Sequence, residues 1–272
     1  MKIFGLIGEK LGHSLSPEIH NKVFEDNKIK GLYNLFSVKQ EYKHNIVDSL
    51  KSLGVTGCNV TIPYKETVME QLDFISEEAR SIGAVNTILI KEGKSYGYNT
   101  DYYGFGKMLV RKNVEVRGNS FFVLGAGGAA RSVLKYLEDN NASKIVLVSR
   151  DKEKASRRFK SFNIEFMGYE ELNNIHNEFA IVNTTPCGMY PKVDTIAVSR
   201  NVIEKFKVAI DIVYNPLETK FLRVSKELGL KIVDGLFMLV GQGVKAEEIW
   251  NGITVDKLTE EKIYNDLKSR FQ

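Results

Sequence analysis

The sequence predicts an α/β protein of two domains. Three observations carry that expectation: a length of 272 residues, short apolar runs alternating with amphipathic stretches, and a glycine-rich turn set between a strand and a helix. Domains of about 100 to 200 residues make two the first reading of the length, with one large α/β domain also compatible. Apolar residues form 43% of the chain, which supports a sizeable core and excludes a disordered or fibrous one. The 38 Lys+Arg and 34 Asp+Glu leave a formal charge of +4, evenly spread. That excludes a dedicated nucleic-acid surface and remains compatible with an anionic small molecule. Cys58 and Cys187 lie far apart, outside any C-x-x-C pattern, so neither a disulfide framework nor a cysteine metal site is expected, and free thiols suit a reducing compartment. The opening stretch Ile3 to Ile7 is too short for a signal segment and is closed by Glu9 and Lys10; no run reaches the length of a membrane span. A cytoplasmic protein with no membrane partner is expected.

The elements follow in order. Lys2 to Ile7 reads as the first strand. In Gly12 to Pro17, Ser16 is expected to cap a helix whose first residue is Pro17 and whose apolar face carries Ile19, Val23 and Phe24. Tyr33 to Val38 is a second strand. Ile46, Val47, Leu50 and Leu53 share one face of a helix ended near Gly54, and Val55 to Ile62 is a strand running into Pro63. A further βα passage leads to a strand over Ala84 to Lys91. Then Ser120 to Leu124, the glycine turn, a helix over Ala129 to Leu137 and Lys144 to Val148 compose a βαβ unit. Strands at Ala180 to Val182, Val208 to Val213 and Lys231 to Val233 continue the alternation, and Leu236 to Trp250 and Val255 to Phe271 read as helices. No internal repeat or linker composition marks a boundary.

Gly125-Ala126-Gly127-Gly128-Ala129-Ala130 is a G-x-G-x-x-A turn in its proper context. The first glycine permits the tight turn, and the second lets backbone approach a pyrophosphate at a helix N-terminus. An acid ending the next strand accepts the ribose hydroxyls in NAD sites. Here Ser149 and Arg150 stand there, with Lys152 and Lys154 close by, which favours a 2′-phosphate and hence NADP. Asp151 leaves NAD as the alternative.

Short polar side chains are dense around the N-terminal strand ends: Ser14, Ser16, Asn59, Thr61, Lys65, Asn86, Thr100 and Asp101. Ligands of open α/β sheets bind outside the carboxyl ends of strands. His13, His20, His44 and His176 show no metal-ligand spacing, and no metal is expected.

Taken together, Gly12-His13-Ser14-Leu15-Ser16-Pro17, Gly57 to Lys65, Gly83-Ala84-Val85-Asn86-Thr87, Gly97 to Asp101 and the glycine turn resemble the shikimate dehydrogenase family. The likeness continues through Asn183-Thr184-Thr185-Pro186, Asp211 to Pro216 and Asp234 to Gln242, spanning nearly the whole chain in order. The resemblance implies a substrate domain over residues 1–101, completed by 239–272, and a Rossmann-like NADP-binding domain over 102–238. It implies NADPH-dependent reduction of 3-dehydroshikimate to shikimate, in aromatic amino-acid (chorismate) biosynthesis. Lys65 and Asp101 would be the catalytic pair. Ser14 and Ser16 would hold the substrate carboxylate, and Asn59, Thr61, Asn86, Tyr214 and Gln242 would surround the ring and its hydroxyls. Gly125, Ala126, Gly127, Gly128, Ala129, Ser149 and Arg150 would bind the dinucleotide, with Thr184, Gly235 and Met238 near the nicotinamide. The family's usual Asn-Arg-Thr is replaced by Ser149-Arg150-Asp151; the acid at Asp151 resembles relatives that accept NAD and quinate and makes an NAD-using quinate/shikimate dehydrogenase the competing function, against which Ser14-x-Ser16 and Ser149-Arg150 lean. A monomer or a homodimer is expected.

Overall fold

The computed structural model describes residues 1–12 and 14–271, so His13 of the first polar loop lies outside the described residues. The chain divides into two compact units. One comprises Met1–Gly104 and Val240–Leu267; the other comprises Phe105–Leu239 and the last few residues of the chain.

The first unit runs β1 (Lys2–Gly8), α1 (Ser16–Asp26), β2 (Gly31–Ser37), α2 (Ile46–Ser52), β3 (Gly57–Val60), β4 (Phe74–Ile75), α3 (Glu77–Ile82), β5 (Thr87–Lys91), β6 (Lys94–Tyr98) and the start of α4 (Thr100–Arg111). Its six strands lie in the order β2-β1-β3-β5-β6-β4. Helical crossovers α1 and α2 make β2, β1 and β3 parallel, as such connections must. A two-residue hairpin then reverses the chain between β5 and β6, with Glu92 and Gly93 both at positive φ (53° and 74°), the backbone that a tight hairpin needs. Val55 to Ile62 is a shorter strand than its apolar run suggests. Thr61 still bonds Ile7 through its N–H, but its carbonyl accepts from Tyr64 in the turn that follows. Ile7, Val47, Leu50, Cys58, Val60, Tyr64 and Ile88 form one buried cluster. On the other cluster, Phe4, Phe24 and Tyr33 pack with Trp250, whose indole donates to the Ile88 carbonyl at 2.9 Å. Gly57 permits that close approach, since a Cβ there would lie 2.5 Å from the Trp250 ring.

The second unit runs β7 (Ser120–Leu124), α5 (Gly128–Asp139), β8 (Lys144–Val148), α6 (Lys152–Arg158), β9 (Glu165–Met167), β10 (Glu178–Asn183), α7 (Arg200–Ile203), β11 (Phe206–Asp211), α8 (Lys220–Glu227) and β12 (Lys231–Val233). All six strands are parallel, in the order β12-β11-β10-β7-β8-β9. Counted from β7, that is the doubly wound order 3-2-1-4-5-6 read from the β9 edge, whose switch point lies between β7 and β10. Phe122, Leu124, Val146, Val148, Ile181 and Ala209 are fully or nearly fully buried, as strands covered on both faces require. Helices α9 (Leu236–Asn251) and α10 (Lys257–Lys268) close the chain. No helix among the described residues is long and apolar enough to cross a membrane.

Candidate active site

In the first unit the Lys65 ammonium meets the Asp101 carboxylate at 2.5 Å, with both side chains mostly buried but reachable. Lys65 follows the turn after β3, where buried Tyr64 anchors the segment by donating its hydroxyl to the Val38 carbonyl. Asp101 lies in the first turn of α4, where a carboxylate suits the helix dipole. Asn86 holds that helix start: its Oδ1 accepts from the Thr100 N–H at 2.7 Å and from the Thr100 hydroxyl at 3.2 Å. The Thr87 hydroxyl also donates to it, at 3.0 Å. The Asn86 Nδ2 takes no part in these bonds.

Ser14 and Ser16 converge, with their hydroxyls 3.1 Å apart and the Ser14 Oγ accepting the Ser16 N–H at 3.2 Å. Ser16 is the first residue of α1 rather than its cap; Leu15 occupies the cap and Pro17 falls one position later than expected. The Ser14 bond to the Ser16 N–H replaces the anticipated cap. Buried Asn59 is held by three groups: the Tyr33 hydroxyl donates to its Oδ1 at 2.8 Å, while its Nδ2 donates to Thr87 Oγ1 at 3.1 Å and to the Asn86 carbonyl at 3.4 Å. Thr61 is half-buried at the end of β3, and Gln242 is buried on α9. Both belong to this unit. Tyr33 was not legible as a site residue, because a tyrosine in a strand position reads as core, and Thr87 stood within the Gly83-Ala84-Val85-Asn86-Thr87 motif without a role of its own.

In the second unit, a cleft of about 660 Å³ opens along the glycine turn. Gly125, at φ +96°, bends the chain after β7, and a Cβ there would strike Thr185. Gly127 caps α5, and a side chain at Gly127 or Gly128 would enter open space. Bare backbone N–H groups at a helix start thus face a vacant approach, the form a pyrophosphate requires; Ala126 and Ala129 flank the two glycines. Thr184, at the end of β10, donates to the Leu124 and Gly125 carbonyls at 2.7 and 3.2 Å. Ser149, Arg150, Lys154 and Arg158 line the cleft, so the donor set fits an anionic dinucleotide. Asp151 is turned toward its own helix, where its Oδ1 accepts the Lys154 N–H at 2.9 Å and caps α6. Arg158, unmarked in the sequence, donates to the Ala126 carbonyl at 3.0 Å.

Beneath the cleft, Asp211 joins two loops. It accepts from Asn183 Nδ2 at 3.0 Å, from the Val213 N–H at 3.0 Å and from the Thr219 hydroxyl at 2.6 Å. Burial pushes its carboxyl up to about 7, against the pull of those three donors. Asn183 in turn accepts from the Thr185 N–H and hydroxyl. Tyr214 follows in the same segment, half-buried, with its phenol pushed up by burial. Gly235 is pressed against the Ile212 carbonyl, which leaves no room for a side chain, and Met238 is buried in the first turn of α9.

A doubly wound sheet with this glycine turn and basic cleft, in one chain with a unit bearing a lysine–carboxylate pair, defines a dinucleotide-dependent oxidoreductase. Residues 6–88 match the family model "Shikimate dehydrogenase substrate binding domain" and residues 108–216 match "Shikimate / quinate 5-dehydrogenase". The chain is 76% identical over 271 residues to the shikimate dehydrogenase (NADP(+)) of Clostridium perfringens strain SM101, covering 100% of both. It superposes on the chorismate mutase/shikimate 5-dehydrogenase fusion protein from Clostridium acetobutylicum with a TM-score of 0.95 at 48% identity, covering 99% of this chain and 98% of that one. The Thermus thermophilus shikimate 5-dehydrogenase in complex with NADP(H) and shikimate gives a TM-score of 0.88 at 32% identity, with 98% and 99% covered. The chain belongs to the shikimate dehydrogenase family.

Proposed function

We propose that this protein catalyses the NADPH-dependent reduction of 3-dehydroshikimate to shikimate, in aromatic amino-acid biosynthesis, with Lys65 and Asp101 as its catalytic pair. The observation that carries the residue assignment is the Lys65–Asp101 contact at 2.5 Å, set in the same unit as the convergent Ser14 and Ser16 hydroxyls.

NADPH, when bound, supplies the hydride that reduces the ketone carbon. Lys65 stabilises the negative charge developing on the carbonyl oxygen and delivers the proton to it. Asp101 holds the ammonium in place and accepts from a neighbouring substrate hydroxyl, which confines a long, mobile side chain to one direction. The two serine hydroxyls hold the substrate carboxylate through charge-assisted bonds. Asn59, Thr61, Asn86, Tyr214 and Gln242 take the ring hydroxyls. The glycine turn and the start of α5 would hold the pyrophosphate, Arg150 the 2′-phosphate, and Thr184, Gly235 and Met238 would border the nicotinamide. In this reading residues 1–101 with 239–272 serve the substrate and 102–238 serve NADP, in a cytoplasmic enzyme that works as a monomer or homodimer.

A four-way steady-state assay following reduced-cofactor absorbance, with shikimate and quinate each paired with NADP and NAD, tests the function. The highest kcat/KM is expected for shikimate with NADP. A preference for quinate with NAD would overturn the assignment.

A further inference from the structure

We propose that His20 and Glu247 are positioning residues for the substrate: their buried contact aligns α1 with α9, so that Ser16 and Gln242 meet one ligand from two distant stretches of chain. The inference rests on the reading of Ser16 as a seat of the carboxylate and of Gln242 as a partner of a ring hydroxyl.

One polar contact and one close apolar approach join the two helices. His20 Nδ1 and Glu247 Oε1 lie 2.5 Å apart, and both side chains are fully buried. The same two atoms are joined whichever of them holds the proton. The other Glu247 oxygen accepts from Asn251 Nδ2 at 2.7 Å, which ties the carboxylate to its own helix. The other imidazole nitrogen, Nε2, has no hydrogen-bond partner among the described residues, so the bond to Glu247 is what orients the ring. One turn earlier on α9, Gly243 admits Ile19 of α1, since a Cβ there would lie 2.9 Å from Ile19 Cγ2. Adjacent residues of α1 thus meet two residues of α9 that stand one turn apart, which sets both spacing and register.

The groups assigned to the substrate lie one turn or so from this contact. Ser16 stands four residues before His20, on the same face of α1, and Gln242 is the neighbour of Gly243; both are buried. The His20 ring also fixes a third element. It stacks on Tyr33 with centroids 4.0 Å apart and planes 10° from parallel, and the Tyr33 hydroxyl donates to Asn59 Oδ1 at 2.8 Å. Stability alone explains such a pair poorly, because burying two ionisable groups carries a desolvation cost that well-packed apolar side chains of similar volume avoid. What the polar pair adds is direction. A single alignment of α1 and α9 brings Nδ1 to Oε1, whereas apolar surfaces accept several.

The test uses variants in which Tm and the shikimate KM should part company. Replacing both partners, His20→Phe with Glu247→Met, leaves no buried polar group unpaired, so Tm should stay close to wild type. The shikimate KM should nevertheless rise about tenfold, with kcat and the NADP KM within about threefold of wild type. His20→Asn keeps an N–H donor near the place of Nδ1 but leaves a cavity, so Tm should fall while the shikimate KM stays within about threefold. Gly243→Ala retains the pair and presses the helices apart, and should raise the shikimate KM several-fold without altering that for NADP. An unchanged shikimate KM in the apolar pair, KM values that simply follow Tm across the variants, or KM values for shikimate and NADP raised alike would overturn the proposal. Ser16→Ala and Gln242→Ala, measured beside them, separate it from the reading beneath it. If neither raises the shikimate KM, the seats are misassigned and the alignment falls with them; if both do and the apolar pair does not, the alignment alone fails. Should the apolar pair not fold, Gly243→Ala decides, and an unchanged shikimate KM there overturns the proposal.

Discussion

Asn59 and Asn86 are each gripped by several neighbouring groups, whereas the cleft of the second unit presents bare glycine backbone and an exposed Arg150. The first unit holds side chains with other side chains; the second offers main chain and solvated cations. The difference matches two recognition problems. Hydroxyls on a small ring are distinguished only by donors and acceptors fixed in direction, and buried networks supply that rigidity. A dinucleotide brings its own charge and length, so helix-start N–H groups and a few cations serve, without a preassembled cage. Mutations should therefore act differently: in the first unit on catalysis and on shikimate, in the second, Tyr214 apart, on the cofactor.

The largest effect is expected at Lys65. Lys65→Ala should lower kcat by about 10² to 10⁴, the usual worth of general acid–base assistance, while leaving the shikimate KM within a few-fold. A change confined to KM would move Lys65 to a binding role. Asp101→Asn keeps size and loses charge, so it should reduce kcat strongly and weaken shikimate binding as well. Near-wild-type kinetics would leave Asp101 as only a helix-start carboxylate.

Asp211 breaks the contrast from the other side, because it is a saturated buried network inside the second unit. Its carboxyl is raised from 3.8 to about 7, so the native state holds a proton that the unfolded chain releases at lower pH. Between those values the folded protein binds more protons, and stability falls as pH rises. The contribution is fully present below about pH 4, and is lost as pH passes through about 7. Urea unfolding at pH 5 to 8 should show wild-type stability declining relative to Asp211→Asn by up to about 2 to 3 kcal/mol. Parallel curves for the two proteins would show that the three donors outweigh burial.

The effect at Arg150 should be smaller and confined to one ligand. Arg150→Ala is expected to raise the KM for NADP by about one to two orders of magnitude, the worth of a charge-assisted contact, and barely to alter that for NAD. Lys152 should matter less: it is exposed and paired with Glu171 at 3.1 Å, as solvated pairs contribute little. An equal loss for both cofactors would place Arg150 on a part of the dinucleotide common to both.

Legibility in the sequence follows the same division. The bounds of β7 and β8 coincide with the apolar runs, because strands covered on both faces leave an almost unbroken hydrophobic signature. The glycine turn was legible because backbone geometry demands that residue type. Antiparallel β6 was not read from the sequence, which expected a strand over Ala84 to Lys91 and nothing beyond it; Glu92-Gly93 joins β6 to β5 by a hairpin of only two residues. Lys65 and Asp101 were singled out as a pair, although their residue numbers say nothing of distance. The network around Tyr33 was not legible: His20, Tyr33 and Glu247 stand in three elements separated by long stretches of chain, and each alone reads as core or surface. Asp211 lay within a recognised segment, but its raised carboxyl depends on burial that only the fold creates.

The smallest effect, and the finest test of the contrast, concerns Asp151. A carboxylate at the end of the second Rossmann strand ordinarily argues for ribose hydroxyls and NAD, yet here Oδ1 accepts the Lys154 N–H and caps α6. That bond occupies the carboxylate locally without removing its charge, which would still repel a 2′-phosphate held by Arg150. Asp151→Thr retains a capping oxygen and removes the charge, so it should improve kcat/KM for NADP by a few-fold, about the worth of one screened surface charge. It should bring no gain with NAD. Asp151→Ala should match that gain but lose some stability, about 1 kcal/mol for a missing cap. A fall in NAD use alone, with NADP unchanged, would show that the carboxylate serves the ribose and that capping is its secondary role.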